Sequence, residues 1–145
     1  MGMPETQRIN GDITRELAQT LHAGDQVLYS GIIYTARDAA HKRLVEALDA
    51  GEEPPISIDG AIIYYAGPAP AKPGYPIGPV GPTSSYRMDP YAPRLLGLGQ
   101  RAMIGKGARS QEVIDAVIRN EAVYFAAIGG AAALIAKSVK RADVV

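Results

Sequence analysis

Apolar positions recur at helical spacing in two stretches of the chain and cluster in several shorter runs. Ala40, Leu44, Ala47 and Leu48 fall at i, i+4, i+7 and i+8, which predicts an amphipathic helix over Asp38–Leu48 with one buried stripe, closed by Gly51. Ser110 stands at the N-cap of a second helix whose Val113, Ala116 and Val117 share a face. Asp12 predicts the N-cap of a short helix carrying Leu17 and Leu21 and ending at Ala23-Gly24, within a lead-in over residues 1–24.

Shorter runs read as strands. Val27, Tyr29, Ile32, Ile33 and Tyr34 are β-formers interrupted by Ser30-Gly31, so Asp25–Ala36 predicts two strand segments or one bulged strand. Ile56 to Ala66 is strand-like around an Asp59-Gly60 turn and ends in Ala61-Ile62-Ile63-Tyr64-Tyr65. Ala102-Met103-Ile104 predicts a short strand and Ala122 to Ile128 a buried one, while Gly129-Gly130 opens a last helix through Val139. Asp89-Pro90 has the form of an N-cap and first helical position, predicting a helix through Leu96 that Gly97 and Gly99 end. The order β, β, α, β, β, loop, α, β, α, β, α predicts a layered α/β or α+β domain. Arg141–Val145 resembles the opening of another strand, and truncation at the C-terminus is the expectation.

Between Gly67 and Pro82, ten of sixteen residues are Gly or Pro, which sustains neither helix nor central strand. Pro restricts φ and lowers the entropy lost on ordering, and Tyr75 and Ile77 can pack, so 67–82 is expected to be an ordered loop.

Composition narrows the chemistry. The 145 residues are 47% hydrophobic, enough for one domain spanning 1–145. Fifteen basic and fifteen acidic residues cancel, so no basic stripe is available for a nucleic-acid backbone. No apolar run reaches membrane-spanning length, and the N-terminus carries charges where a signal peptide needs an apolar stretch; a cytoplasmic protein is expected. Cysteine is absent and the two histidines, His22 and His41, lack helical ligand spacing, so no metal ligand set is expected in this chain.

Four places at element edges carry candidate chemistry. Arg37 leaves a strand just before a helix, where guanidinium donors and free helix amides can act on one anion; pairing with Asp38 or Asp89 is the plain structural alternative. Gly81-Pro82-Thr83-Ser84-Ser85-Tyr86-Arg87-Met88-Asp89 offers hydroxyls, amides and an arginine around a carboxylate, or else a turn that caps the next segment. Gly105-Lys106-Gly107 holds a lysine between glycines, but a nucleotide loop is rejected because Gly107 stands where Ser or Thr is required. Gly129-Gly130 is explained as well by close packing as by ligand approach.

Taken in order, Thr-Ala-Arg-Asp-Ala-Ala-His-Lys-Arg at 35–43, Tyr-Tyr-Ala-Gly-Pro at 64–68, Gly-Pro-Thr-Ser-Ser-Tyr-Arg-Met-Asp at 81–89, Ile-Gly-Lys-Gly at 104–107 and Gly-Gly-Ala-Ala-Ala at 129–133 resemble two related groups. These are the C-terminal region of class I fumarases and the beta subunit of L(+)-tartrate dehydratases, and the resemblance runs over nearly the whole chain. It implies a swivelling β/β/α domain and a hydro-lyase that reversibly dehydrates a 2-hydroxy dicarboxylate, with fumarate/malate or tartrate as substrate. It also implies a [4Fe-4S] cluster ligated by an iron-sulfur alpha subunit, in a hetero-oligomer built as a dimer of alpha-beta pairs. Arg37, Thr83, Arg87 and Lys106 match the family's substrate-binding positions, and Thr83, Arg87 and Lys106 its catalytic ones. Tyr86 is bulkier than the residue expected there, and His41 is given no role. The alternative is a stand-alone dicarboxylate-binding domain without catalysis.

Overall fold

The computed structural model describes residues 6–67, 71, 73–78 and 81–127. Its elements are β1 (Thr6–Asn10), α1 (Arg15–Gln19), β2 (Gln26–Ser30), β3 (Tyr34–Thr35), α2 (Asp38–Asp49), β4 (Ile62–Tyr64), a 3-10 helix (Ser85–Met88), α3 (Ala92–Gly97), β5 (Ala102–Gly105), α4 (Gln111–Arg119) and β6 (Val123–Ala126). The expected last helix after Gly129-Gly130 and the run Arg141–Val145 lie outside the described residues.

β3, β4, β5 and β6 pair in sequence order, all parallel, and β1 and β2 form a separate parallel pair. Because side chains alternate along a strand, each face of the four-stranded sheet collects its own core. Ile63, Tyr65 and Met103 point to one side, where they meet Leu44 of α2, Ala92, Leu95 and Leu96 of α3, and Val113 and Ala116 of α4. Ile62, Ala102, Val123 and Phe125 point to the other and meet Ile9 of β1, Val27 and Tyr29 of β2, and Ile13, Leu17 and Ala18 around α1. A β-pair, a sheet and a helical layer therefore stack in that order. The α/β layered class expected from the sequence is what forms, and β4 is apolar on both faces because both are covered.

Several local expectations are corrected. The first helix is capped by Thr14, whose hydroxyl accepts from Leu17 N, rather than by Asp12. Of the two readings of Asp25–Ala36, two strand segments is the one that forms, and the two belong to different sheets. Ile56–Ile58 forms no strand: Ile58 is buried under the helices, and Gly60 N donates to Gly99 O instead of closing a hairpin. Pro90 lies in a turn, and α3 starts two residues later with Pro93 in its first turn, where a missing N–H costs nothing. β6 is half-buried rather than buried among the described residues. By contrast α4 begins as expected, with Ser110 Oγ accepting from Val113 N. No helix among the described residues is long and apolar enough to cross a membrane.

Candidate functional site

In an open parallel sheet the loops leaving the carboxyl ends of the strands are free to build a site. Here three such ends and one inserted segment converge. The chain leaving β3 passes through Ala36, whose N–H donates to Tyr64 O, to Arg37 at the N-cap of α2. The chain leaving β4 continues through Tyr65 and Ala66 to Gly67, and β5 runs into Lys106. Residues 82–84 slot in alongside: Pro82 bridges Ala66, Thr83 N donates to Tyr65 O at 2.8 Å, and Ser84 bridges Lys106. Ser85 N then donates to Lys106 O at 3.0 Å.

Arg87 is oriented by the 3-10 helix that follows. Residues three apart share a face in such a helix, so burial of Ser85 and Met88 directs Tyr86 and Arg87 outward. Arg37 reaches the same edge: a Cβ built on Gly67 would lie 2.6 Å from Arg37 Nε, so the guanidinium packs on a backbone that only glycine leaves open. All four residues read from the sequence, Arg37, Thr83, Arg87 and Lys106, thus stand at the carboxyl edge of the sheet.

What distinguishes them is the absence of side-chain partners among the described residues. Arg37, Arg87 and Lys106 are exposed and form no side-chain ion pair or hydrogen bond with the described residues, and the Thr83 hydroxyl is equally uncommitted among them. Arg37 does not pair with Asp89, whose Oδ1 accepts from Arg109 Nε at 2.8 Å and whose Oδ2 accepts from Ser110 N at 2.9 Å. A pairing of Arg37 with Asp38 is likewise not formed. The Ser84 side chain makes no cap bond, so the run of hydroxyls at 83–85 is not a simple helix cap.

Beneath the open edge lies a closed layer that sequence reasoning did not find. The Arg109 guanidinium sits between two rings, 5.0 Å from the centroids of both Tyr65 and Tyr124, and donates to Tyr65 Oη at 3.2 Å. Burial pushes the Tyr65 hydroxyl up to about 12, against the opposing pull of Arg109, so it stays a neutral phenol. His41 is fully buried; its Nδ1 donates to Arg37 O at 3.0 Å, as the carbonyl can only accept, and its ring meets Tyr65 edge-on. Desolvation holds the His41 pKa below the usual 6.5, with Arg109 adding to the effect and the bond to Arg37 opposing it. Gly105 has no room for a side chain, since a Cβ there would collide with Ser85 Oγ. The one sequence signal for this layer was the aspartate ending the 81–89 segment, read instead as a helix cap.

An iron-sulfur cluster does not fit the residues of this chain. Cysteine is absent, and among the described residues no three His, Asp or Glu side chains gather to hold a metal. Two arginines, a lysine, a hydroxyl and the N-terminus of the twelve-residue helix α2 suit an anion instead.

The class defined by these features is a layered β/β/α domain with an exposed cationic edge. The family described as "Fumarase C-terminus" matches residues 3–145, and the chain belongs to that family. It is similar to the anaerobic class I fumarate hydratase of Escherichia coli, with 40% identity over 97% of this chain and 27% of that protein. It is similar, too, to a putative L(+)-tartrate dehydratase subunit beta of Methanocaldococcus jannaschii, with 39% identity over 90% of this chain and 69% of that protein. Fumarate hydratase 2 of Leishmania major is 38% identical over 90% of the chain and 23% of its own length. The chain therefore spans about a quarter of the length of the fumarate hydratases it matches.

Proposed function

We propose that this chain is the beta component of a hydro-lyase that reversibly dehydrates a 2-hydroxy dicarboxylate, malate or tartrate, in partnership with an alpha subunit that holds a [4Fe-4S] cluster. The observation that carries this reading is the convergence of Arg37, Arg87 and Lys106 at one sheet edge without counter-ions among the described residues. Relatives named as fumarate hydratases and a tartrate dehydratase subunit support the reaction class.

In this reading the arginines hold substrate carboxylates by forked hydrogen bonds, and Lys106 adds a point charge. When a C–H proton next to a carboxylate is withdrawn, negative charge builds on that carboxylate, and fixed cations stabilise it most at that moment. Thr83 is the proton acceptor of the proposal. A lone hydroxyl is a weak base, so the role depends on Arg87 and Lys106 favouring the deprotonated form of that hydroxyl. The partner subunit supplies all cluster ligands, and the complex is a dimer of alpha-beta pairs.

The test is anaerobic reconstitution with an iron-sulfur alpha subunit and assay on malate and tartrate. Dehydration of either supports the reading. Dicarboxylate binding without turnover in the assembled complex overturns it in favour of a binding domain without catalysis.

A further inference from the structure

The Tyr124 hydroxyl sits where the two halves of the cationic edge meet. It lies 2.9 Å from Gly107 O and 2.7 Å from Ser85 Oγ. A carbonyl only accepts, so the single Tyr124 proton goes to Gly107 O and its oxygen is left to accept from Ser85. The direction of the chain is thereby set: Ser85 Oγ–H to Tyr124, Tyr124 Oη–H to Gly107 O. Ser85 N also donates to Lys106 O at 3.0 Å, so adjacent carbonyls of the lysine loop are both held, one by backbone and one through the tyrosine.

The connection spans the two segments that bear the cations. Ser85 opens the 3-10 helix carrying Arg87 and follows Thr83 by two residues, while Gly107 follows Lys106 and takes a φ of +89° that side chains rarely adopt. Tyr124 itself is held: it projects from β6, which pairs with β5, and its ring carries the Arg109 guanidinium that Asp89 fixes. Ser85 is fully buried, and the two hydrogen bonds tie together the segments that bear the cations.

We propose that Tyr124, acting through Ser85 and Gly107, is a positioning residue that sets Lys106 relative to Thr83 and Arg87 for dicarboxylate binding and turnover. The proposal rests on the hydro-lyase reading above. Tyr124→Phe keeps the ring over Arg109 and deletes only the hydroxyl. Misplacing a charged contact by a fraction of an ångström to 1 Å costs on the order of 10- to 100-fold in rate, so kcat/KM of the assembled enzyme should fall by about that much in this variant.

The decisive readout is a double-mutant cycle with Lys106→Ala, measured as kcat/KM for the dehydration and as the dissociation constant for succinate, a non-reacting dicarboxylate. If Tyr124 works through the lysine, adding Tyr124→Phe to Lys106→Ala costs less than threefold, because the group to be positioned is gone. A full additive loss in both readouts overturns the proposal, since a general loosening of the fold would produce it. Ser85→Ala, which removes only the donor to Tyr124, must show the same coupling with Lys106 in the same direction; if Tyr124→Phe does not fold, this variant decides. A wild-type complex that neither turns over nor binds succinate overturns the hydro-lyase reading and this inference together. A wild-type complex that does both, with Tyr124→Phe and Ser85→Ala indistinguishable from it, overturns this inference alone.

Discussion

Two sets of cations have opposite fates in this fold. Arg109 and Arg101 are committed: Arg109 to Asp89 and two aromatic rings, Arg101 to the carbonyls of Asn120 and Glu121 at the C-terminus of α4. Arg37, Arg87 and Lys106 are exposed and uncommitted among the described residues. The difference teaches how the two kinds of basic residue are to be told apart. An arginine whose guanidinium is turned inward onto a carboxylate, carbonyls or rings holds the fold, and one presented without a counter-ion among the described residues at the carboxyl edge of a parallel sheet is available to a ligand.

The comparison is broken most strongly on the committed side. The Arg109 side chain is only 3% exposed and that of Asp89 13%, so removing one partner strands a buried charge. Asp89→Ala or Arg109→Leu should cost about 3–5 kcal/mol of stability, read from the shift in urea midpoint at unchanged slope. A cost below about 1 kcal/mol would mean the pair does not brace the fold.

On the open side the expected loss is in binding. Arg37→Ala should weaken dicarboxylate binding by about 1.5–3 kcal/mol, the usual value of a hydrogen bond to a charged group, and leave the urea midpoint nearly unchanged. Gly67→Ala sharpens this further. Its Cβ would meet the flexible end of Arg37 at 2.6 Å, so the guanidinium moves and the backbone need not; affinity should fall by up to about tenfold while stability holds.

His41 joins the two sides, and its effect is the smallest. Burial holds its folded pKa below the 6.5 of the unfolded chain. Above 6.5 both states are neutral and the native fold keeps its full stability. As pH falls below 6.5 the unfolded chain takes up a proton that the native state refuses, so stability is lost, by up to about 1.4 kcal/mol per pH unit. Urea titrations across this range should show that slope in the wild type and its loss in His41→Gln.

Much of the scaffold was legible in the sequence. The i, i+4 stripes of α2 and α4 and the Ser110 cap are local signals, and they held because tertiary packing agrees with them. β1 was missed because Thr6-Gln7-Arg8-Ile9-Asn10 offers one apolar residue to bury, Ile9, and among the described residues pairs only with β2. The cap at Thr14 went to Asp12 because both side chains accept equally well from a helix amide, and only the backbone decides. At the edge, Arg37, Thr83, Arg87 and Lys106 were legible as motifs but not as a constellation, since the bridges joining 82–84 to Ala66 and Lys106 are non-local. The Arg109–Asp89 pair was least legible of all: it closes across β5, and Asp89-Pro90 imitates a helix start.

The central claim is that the exposed cations form a dicarboxylate clamp in a hydro-lyase. It is tested most directly by measuring kcat/KM and the urea midpoint together for Arg87→Ala and Lys106→Ala in the assembled enzyme. The account predicts a loss of on the order of 10-fold or more in kcat/KM for each, with the urea midpoint of this chain unmoved. Unchanged kcat/KM in both variants would contradict it.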